Sequence, residues 1–192
     1  VTEFLDAVEH EAAQAARQRV RYHYLRCEAH CESAIERLML IGFIRCARTA
    51  QDHNMRIVIT KPHANWSDLG HLNQQLDGAM RVMAADVGVT RMAWIMPQAV
   101  VGDYRLDFHI RCARQLPERS TPHHVDLAVE CDGQDFHGTV EQTHADRERD
   151  RFLTAHGFTV LRFTGTELWR DPAGCAQTVF DRITRFFNGG ER

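Results

Sequence analysis

Two short segments, Tyr104–Ile110 (YRLDFHI) and Val125–Asp132 (VDLAVECD), most constrain what this chain can fold into. In the first, Tyr104, Leu106, Phe108 and Ile110 alternate with Arg105, Asp107 and His109. In the second, Val125, Leu127, Val129 and Cys131 alternate with Asp126, Ala128, Glu130 and Asp132. A period of two is the signature of a half-buried strand, so Asp107 falls on one polar face and Glu130 with Asp132 on another. The connection RCARQLPERSTPHH contains Pro117 and Pro122 and is too short for a helical crossover, which makes the strands antiparallel neighbours. A turn centred near Glu118 then sets Asp107 opposite Glu130. Directly opposed residues have Cβ atoms about 5 Å apart. Two ionised carboxylates at that range repel unless one is protonated or a cation lies between them. Oxygen ligands from Asp107 and Glu130, with the main-chain carbonyl of Cys131, suit Mg²⁺ or Mn²⁺ rather than Zn²⁺.

The run from Gln98 through YRLDF and VECDG, then ADRERDRFL and GFTVLRFT, resembles the very-short-patch-repair-like branch of the PD-(D/E)XK nuclease superfamily. The likeness lies in an E-x-D-G…H signature followed by D-R-x-R-D-x-x-L…G-x-x-V-L-R-F, and it covers the second half of the chain, with Glu36 as an upstream addition. It implies an α/β fold, a restriction-endonuclease-like mixed four- to five-stranded sheet flanked by helices. It also implies a metal-dependent DNA endonuclease of the repair, restriction or mobile-element kind, using Mg²⁺ or Mn²⁺. In the wider superfamily a lysine stands two residues after the glutamate. Here that position is Asp132, a departure that suggests a further ligand or a different general base. His137 matches the histidine of the signature and is the candidate acid–base, since imidazole titrates near neutrality. Gln98 matches a polar position before the acidic strand and is a candidate nucleic-acid contact, as is Arg162 in the LRF of the strand after the charged helix, where it binds phosphate or braces a carboxylate.

Glu36 carries two readings. Ser33-Ala-Ile-Glu36 is a capping-box pattern, so Glu36 closes the first turn of its own helix. The resemblance has a glutamate of the first core helix reaching the metal site. In the charged helix at 143–156, Arg147, Arg149 and Arg151 cannot share one face, and Arg147 with Asp150, or Asp146 with Arg149 or Asp150, could line the site, Arg147 and Arg149 being candidate nucleic-acid contacts. The bland reading of this charge run is a solvated helix laced with ion pairs.

The 192 residues, 44% of them hydrophobic, suffice for one domain with a substantial core. We divide it into an N-terminal helical extension (1–32), a first core helix (33–47), an insertion (48–91) and a catalytic core (92–187). A net charge of −3 lacks the basic footprint usual for nucleic-acid binding. Against that, Lys61 is the sole lysine, and arginine, the better bidentate phosphate partner, clusters at 147–162. Cys27, Cys31, Cys46, Cys112, Cys131 and Cys175 are scattered, which fits reduced thiols in a cytoplasmic protein. No apolar run has bilayer-spanning length and no signal pattern opens the chain, so no membrane partner is expected. The opening Val1 suggests a processed chain, part of a larger parent protein, or a chain completed by a partner subunit.

Periodicity predicts a helix over 2–26, a strand at 56–60, a helix over 66–87, and a strand at 92–101 leading through Gly102-Asp103 into YRLDF. A charged helix over 143–156 ends at Gly157, a buried strand follows at 158–163, and Asp171-Pro172 starts a final amphipathic helix. Strand, helix, strand implies a right-handed parallel crossover and hence a mixed sheet. His23, Cys27, His30 and Cys31 fall on one side of a continued helix and could form a soft-metal site. Two functions therefore compete with the endonuclease: a nuclease-fold module that binds nucleic acid or a partner protein without cutting, and a small structural metalloprotein.

Overall fold

The computed structural model describes residues 10, 14, 17–18, 21–22, 24–25, 27–50, 55–60, 74–75, 77–82, 85, 88–133 and 140–189, without the side chains of 140–143. Five strands, β1 (Met55–Ile59), β2 (Arg91–Val101), β3 (Tyr104–Arg114), β4 (His123–Asp132) and β5 (Phe158–Thr164), form one sheet in the order β1-β2-β3-β4-β5. β1 runs parallel to β2, β2–β3 and β3–β4 are antiparallel, and β4–β5 is parallel. The helices are α1 (Ala34–Ala50), α2 (Val140–Ala155), α3 (Gly165–Arg170) and α4 (Pro172–Phe187). The fold is thus α/β, a mixed five-stranded sheet flanked by helices.

One face of the sheet is covered by α1, α3 and α4, whose Ile35, Met39, Phe43, Val179, Phe180 and Ile183 join Phe108, Ile110, Leu127 and Val129 in the main core. Phe43 meets Phe108 edge-on with ring centroids 5.1 Å apart. Helices α1 and α4 come close because position 42 has no side chain; a Cβ there would stand 2.7 Å from both the Ala176 Cβ and the Pro172 carbonyl oxygen.

The other face is covered too, which corrects the expectation that the strands are half buried. Leu153 of α2 packs with Val101, Leu106, Ala128 and Phe158. Met80, from a helical segment at 77–82, packs with Met92, Trp94 and Met96. Between these clusters the polar residues of the alternation are buried together. His109 Nε2 lies 2.7 Å from Asp126 Oδ1, and Arg111 Nη1 donates to Asp126 Oδ2 at 3.0 Å. Alternation marked which residues share a face, but mutual neutralisation let that face close over them.

Much of the expected punctuation is present. Gly102, at φ +60, makes the two-residue turn between paired Val101 and Tyr104, and a Cβ there would meet the Phe152 ring at 2.6 Å. Gly157, at φ +82, follows α2. The Asp171 side chain accepts from the Gly174 amide at 2.8 Å to cap α4. Helix α3 was not anticipated, although Thr164-x-x-Glu167 is a capping box that announces it. The segment set apart as 48–91 contributes β1 and Met80 to the sheet and its covering. Among the described residues no helix is long and apolar enough to cross a membrane.

Candidate functional site

The strand registers carry four of the expected site residues into one row across the sheet. One step past the Phe108–Val129 pair, Asp107 of β3 stands opposite Glu130 of β4. Glu130 pairs with Arg162 of β5. On the other side, Pro97 pairs with Phe108 and Ala99 with Leu106, so Gln98 of β2 stands opposite Asp107. The row Gln98, Asp107, Glu130, Arg162 thus crosses β2 to β5, with Asp132 two residues beyond Glu130 at the end of β4.

Each member has a defined partner. Asp107 Oδ2 accepts from the Cys131 amide at 2.7 Å. Glu130, almost wholly buried, has Arg149 Nη2 of α2 2.5 Å from its Oε1. Arg149 Nη2 also donates to the Arg105 carbonyl oxygen at 2.9 Å. Arg162 donates to Asp132 at 3.3 Å and to Asp150 of α2 at 2.7 Å, so it braces carboxylates. Gln98 Nε2 donates to Glu36 Oε2 at 2.8 Å.

Glu36 reconciles its two readings. Its carboxylate accepts from the Ser33 amide and hydroxyl at 3.1 and 2.7 Å and from the Glu32 amide at 2.8 Å, while its own amide donates to Ser33 Oγ at 3.2 Å. This is the capping box, and the bond to Gln98 ties it to the row. Both oxygens are committed to donors, which leaves Glu36 as a brace beside Asp107.

The electrostatics of the row are dominated by burial. Burial pushes the Asp107 carboxyl up to about 6, with the Glu36 and Asp132 charges adding to the rise and the Cys131 amide and Arg149 opposing it. Burial likewise raises Glu130 to about 7 despite the Arg149 guanidinium, with Asp107 adding to the rise. Such a pair holds its negative charge reluctantly, and a further cation would relieve it. Among the described residues no three His, Cys, Asp or Glu side chains form a ready cage for a metal ion. A cation at Asp107 and Glu130 would therefore complete its coordination with water and main-chain oxygen, as Mg²⁺ commonly does when held by one or two carboxylates. The donor set fits a hard cation in chemistry. The Cys131 thiol is pushed far up by burial and offers no thiolate, so only its main-chain oxygen suits such an ion.

The remaining expected residues divide. Arg147 is exposed, while Arg149 turns inward to Glu130. His137 lies outside the described residues, as does His23 of the soft-metal cluster. Cys27 and Cys31 are core residues, and burial raises the Cys31 thiol to about 12. No pattern in the sequence singles out Arg105, whose carbonyl receives Arg149 and whose side chain pairs with Glu32 at 2.7 Å. Those contacts depend on how α2 and the start of α1 approach the β3 end.

Comparison with known proteins agrees with this arrangement. A family model named REase_MTES_1575 matches residues 88–183, half of the chain, taking in the whole row. An uncharacterized protein of Haemophilus influenzae (strain ATCC 51907 / DSM 11121 / KW20 / Rd) is 33% identical over 86 residues, and the match spans 45% of this chain and 45% of that protein. No solved structure matches the chain. With acidic residues aligned across adjacent strands of a mixed sheet, and with a model covering every strand of that row, the chain belongs to the restriction-endonuclease-like family REase_MTES_1575, a membership that suggests a nuclease.

Proposed function

We propose that this chain is a metal-dependent endodeoxyribonuclease of the very-short-patch-repair-like branch, hydrolysing DNA phosphodiester bonds with Mg²⁺ or Mn²⁺ held at Asp107 and Glu130. The observation that carries the reading is the register that sets Asp107 opposite Glu130, two carboxylates side by side that burial makes reluctant to ionise. When bound, the cation supplies a Lewis acid for the scissile phosphate and lowers the pKa of a water. Asp107 is aimed by the Cys131 amide, which occupies Oδ2. Arg149 neutralises Glu130 in the absence of metal and, released from it, offers a planar guanidinium to a phosphate. Arg162 holds Asp132 and Asp150 in place, and Asp132 stands where the superfamily lysine would be. His137 is the candidate to give a proton to the leaving oxygen. Gln98, also a candidate DNA contact, is engaged with Glu36.

The test is cleavage of supercoiled plasmid with Mg²⁺ or Mn²⁺, comparing the wild type with Asp107→Asn and Glu130→Gln. Metal-dependent nicking that each substitution lowers by at least about a hundredfold is the expected result, since removing one partner of a cation site costs that order in activity. A second reading, a module that binds nucleic acid or a partner protein without cutting, is favoured by the Arg149–Glu130 pair and by Asp132 in the lysine position. DNA binding by a wild type that leaves plasmid intact in both metals would select it.

A further inference from the structure

Gln98 is unusual in backbone and side chain at once. It is the non-glycine residue with positive φ among the described residues, at +51, and it lies inside β2 rather than at a turn. The paired residues on either side of it, Pro97–Phe108 and Ala99–Leu106, leave it out of the ladder opposite Asp107. A left-handed conformation is unfavourable for a residue with a side chain, and such strain persists where surrounding structure enforces it, often at functional sites.

The side chain repeats the pattern. Nε2 donates to Glu36 Oε2, and because a carboxylate there accepts, this bond sets which way the amide faces. Oε1 is then left buried with no hydrogen-bond partner. Glu36 does not require Gln98 for satisfaction, since Ser33 and Glu32 already supply three donors from its own helix start. A buried acceptor without a donor is a cost that a ligand can remove.

We infer that Gln98 is a positioning residue for the divalent cation: its strained backbone and its bond to Glu36 hold Oε1 as a neutral oxygen for the cation's hydration shell beside Asp107. The inference rests on the functional reading above and adds a role for a residue first taken as a DNA contact. A neutral acceptor adds coordination without further like-charge repulsion at an already over-acidic site.

Two variants separate this from a structural role. Gln98→Gly relieves the left-handed backbone and removes the side chain; Gln98→Met keeps the length and removes the acceptor. Mn²⁺ affinity is measured by titration calorimetry, the thermal midpoint in EDTA by circular dichroism, and DNA binding in EDTA by fluorescence anisotropy. The expected result is Mn²⁺ binding weakened about tenfold or more in both variants, with Gln98→Gly melting no lower than the wild type. Wild-type Mn²⁺ affinity in both variants would overturn the inference alone, as would a Gln98→Gly protein that loses thermal midpoint and affinity together. DNA binding lost with Mn²⁺ affinity intact would return Gln98 to a nucleic-acid contact. A wild type that binds no Mn²⁺ would remove the functional reading and this inference with it.

Discussion

At the scale of single residues, the site is held by short polar bonds that double as fold-stabilising contacts. Ser33 is the clearest case: its hydroxyl caps α1 by accepting from the Glu36 amide and steadies the Glu36 carboxylate by donating to it. Ser33→Ala should therefore destabilise the protein by about 1 kcal/mol, the usual value of an N-cap, read as a lower urea midpoint with unchanged slope. Asp126 makes a contrasting prediction. Burial alone would raise its carboxyl, but the His109 bond and charge and the Arg111 guanidinium outweigh it and hold the group below its ordinary value. A depressed folded pKa means that the unfolded state binds more protons in acid, so this contribution is complete above the unfolded carboxylate pKa and is lost as pH falls through the folded one. Wild-type stability should thus fall on acidification below about pH 4, and Asp126→Ala should flatten that fall. The same substitution strands Arg111, 1% exposed, and should cost about 3–5 kcal/mol at neutral pH.

At the scale of elements, the arrangement depends on close approaches that tolerate little added volume. Helices α1 and α4 meet at Gly42, where one of the two nearest atoms to an added Cβ is a main-chain oxygen that cannot rotate away. Gly42→Val should destabilise by about 1–3 kcal/mol through overpacking, visible as a lower thermal midpoint, and should loosen the start of α1 that carries Glu36. Helix α2 has the opposite character. It has a thin apolar contribution, chiefly Leu153 and Phe152, and it is held to the sheet end by Arg149 and Asp150 as well. An element fastened by ion pairs at a site is well placed to shift when a cation or a phosphate changes those pairs.

At the scale of the whole molecule, the core is built without a metal, because apolar clusters lie on both faces of the sheet. Removing divalent ions with EDTA should leave the circular dichroism spectrum intact. Adding Mn²⁺ at about a hundred times its dissociation constant should stabilise the fold by about 2.7 kcal/mol, as linkage requires for a ligand that binds only the native state. With a net charge of −3, the DNA affinity proposed above would depend on local arginines and on the proposed cation, so binding measured by anisotropy should be weak in EDTA and strengthen with a divalent ion.

The sequence by itself determined the sheet's strands and the central pairing. Alternation in YRLDFHI and VDLAVECD excludes a one-residue slip, and a turn centred near Glu118 in the proline-containing connection then sets Asp107 against Glu130. Capping residues at Ser33, Asp171 and Gly157 were equally legible, since caps are local chemistry. What only the tertiary structure decided is everything that depends on one element approaching another. That includes the burial of His109 and Arg111 beneath a second layer, the turn of Arg149 rather than Arg147 toward Glu130, and the bond from Gln98 to Glu36 across 62 positions of chain. A side chain's type and period say which face it takes, but its partner is chosen by packing between segments far apart in sequence. The left-handed Gln98 was unreadable for the same reason: local propensity argues against it, and only the surrounding contacts make it stay.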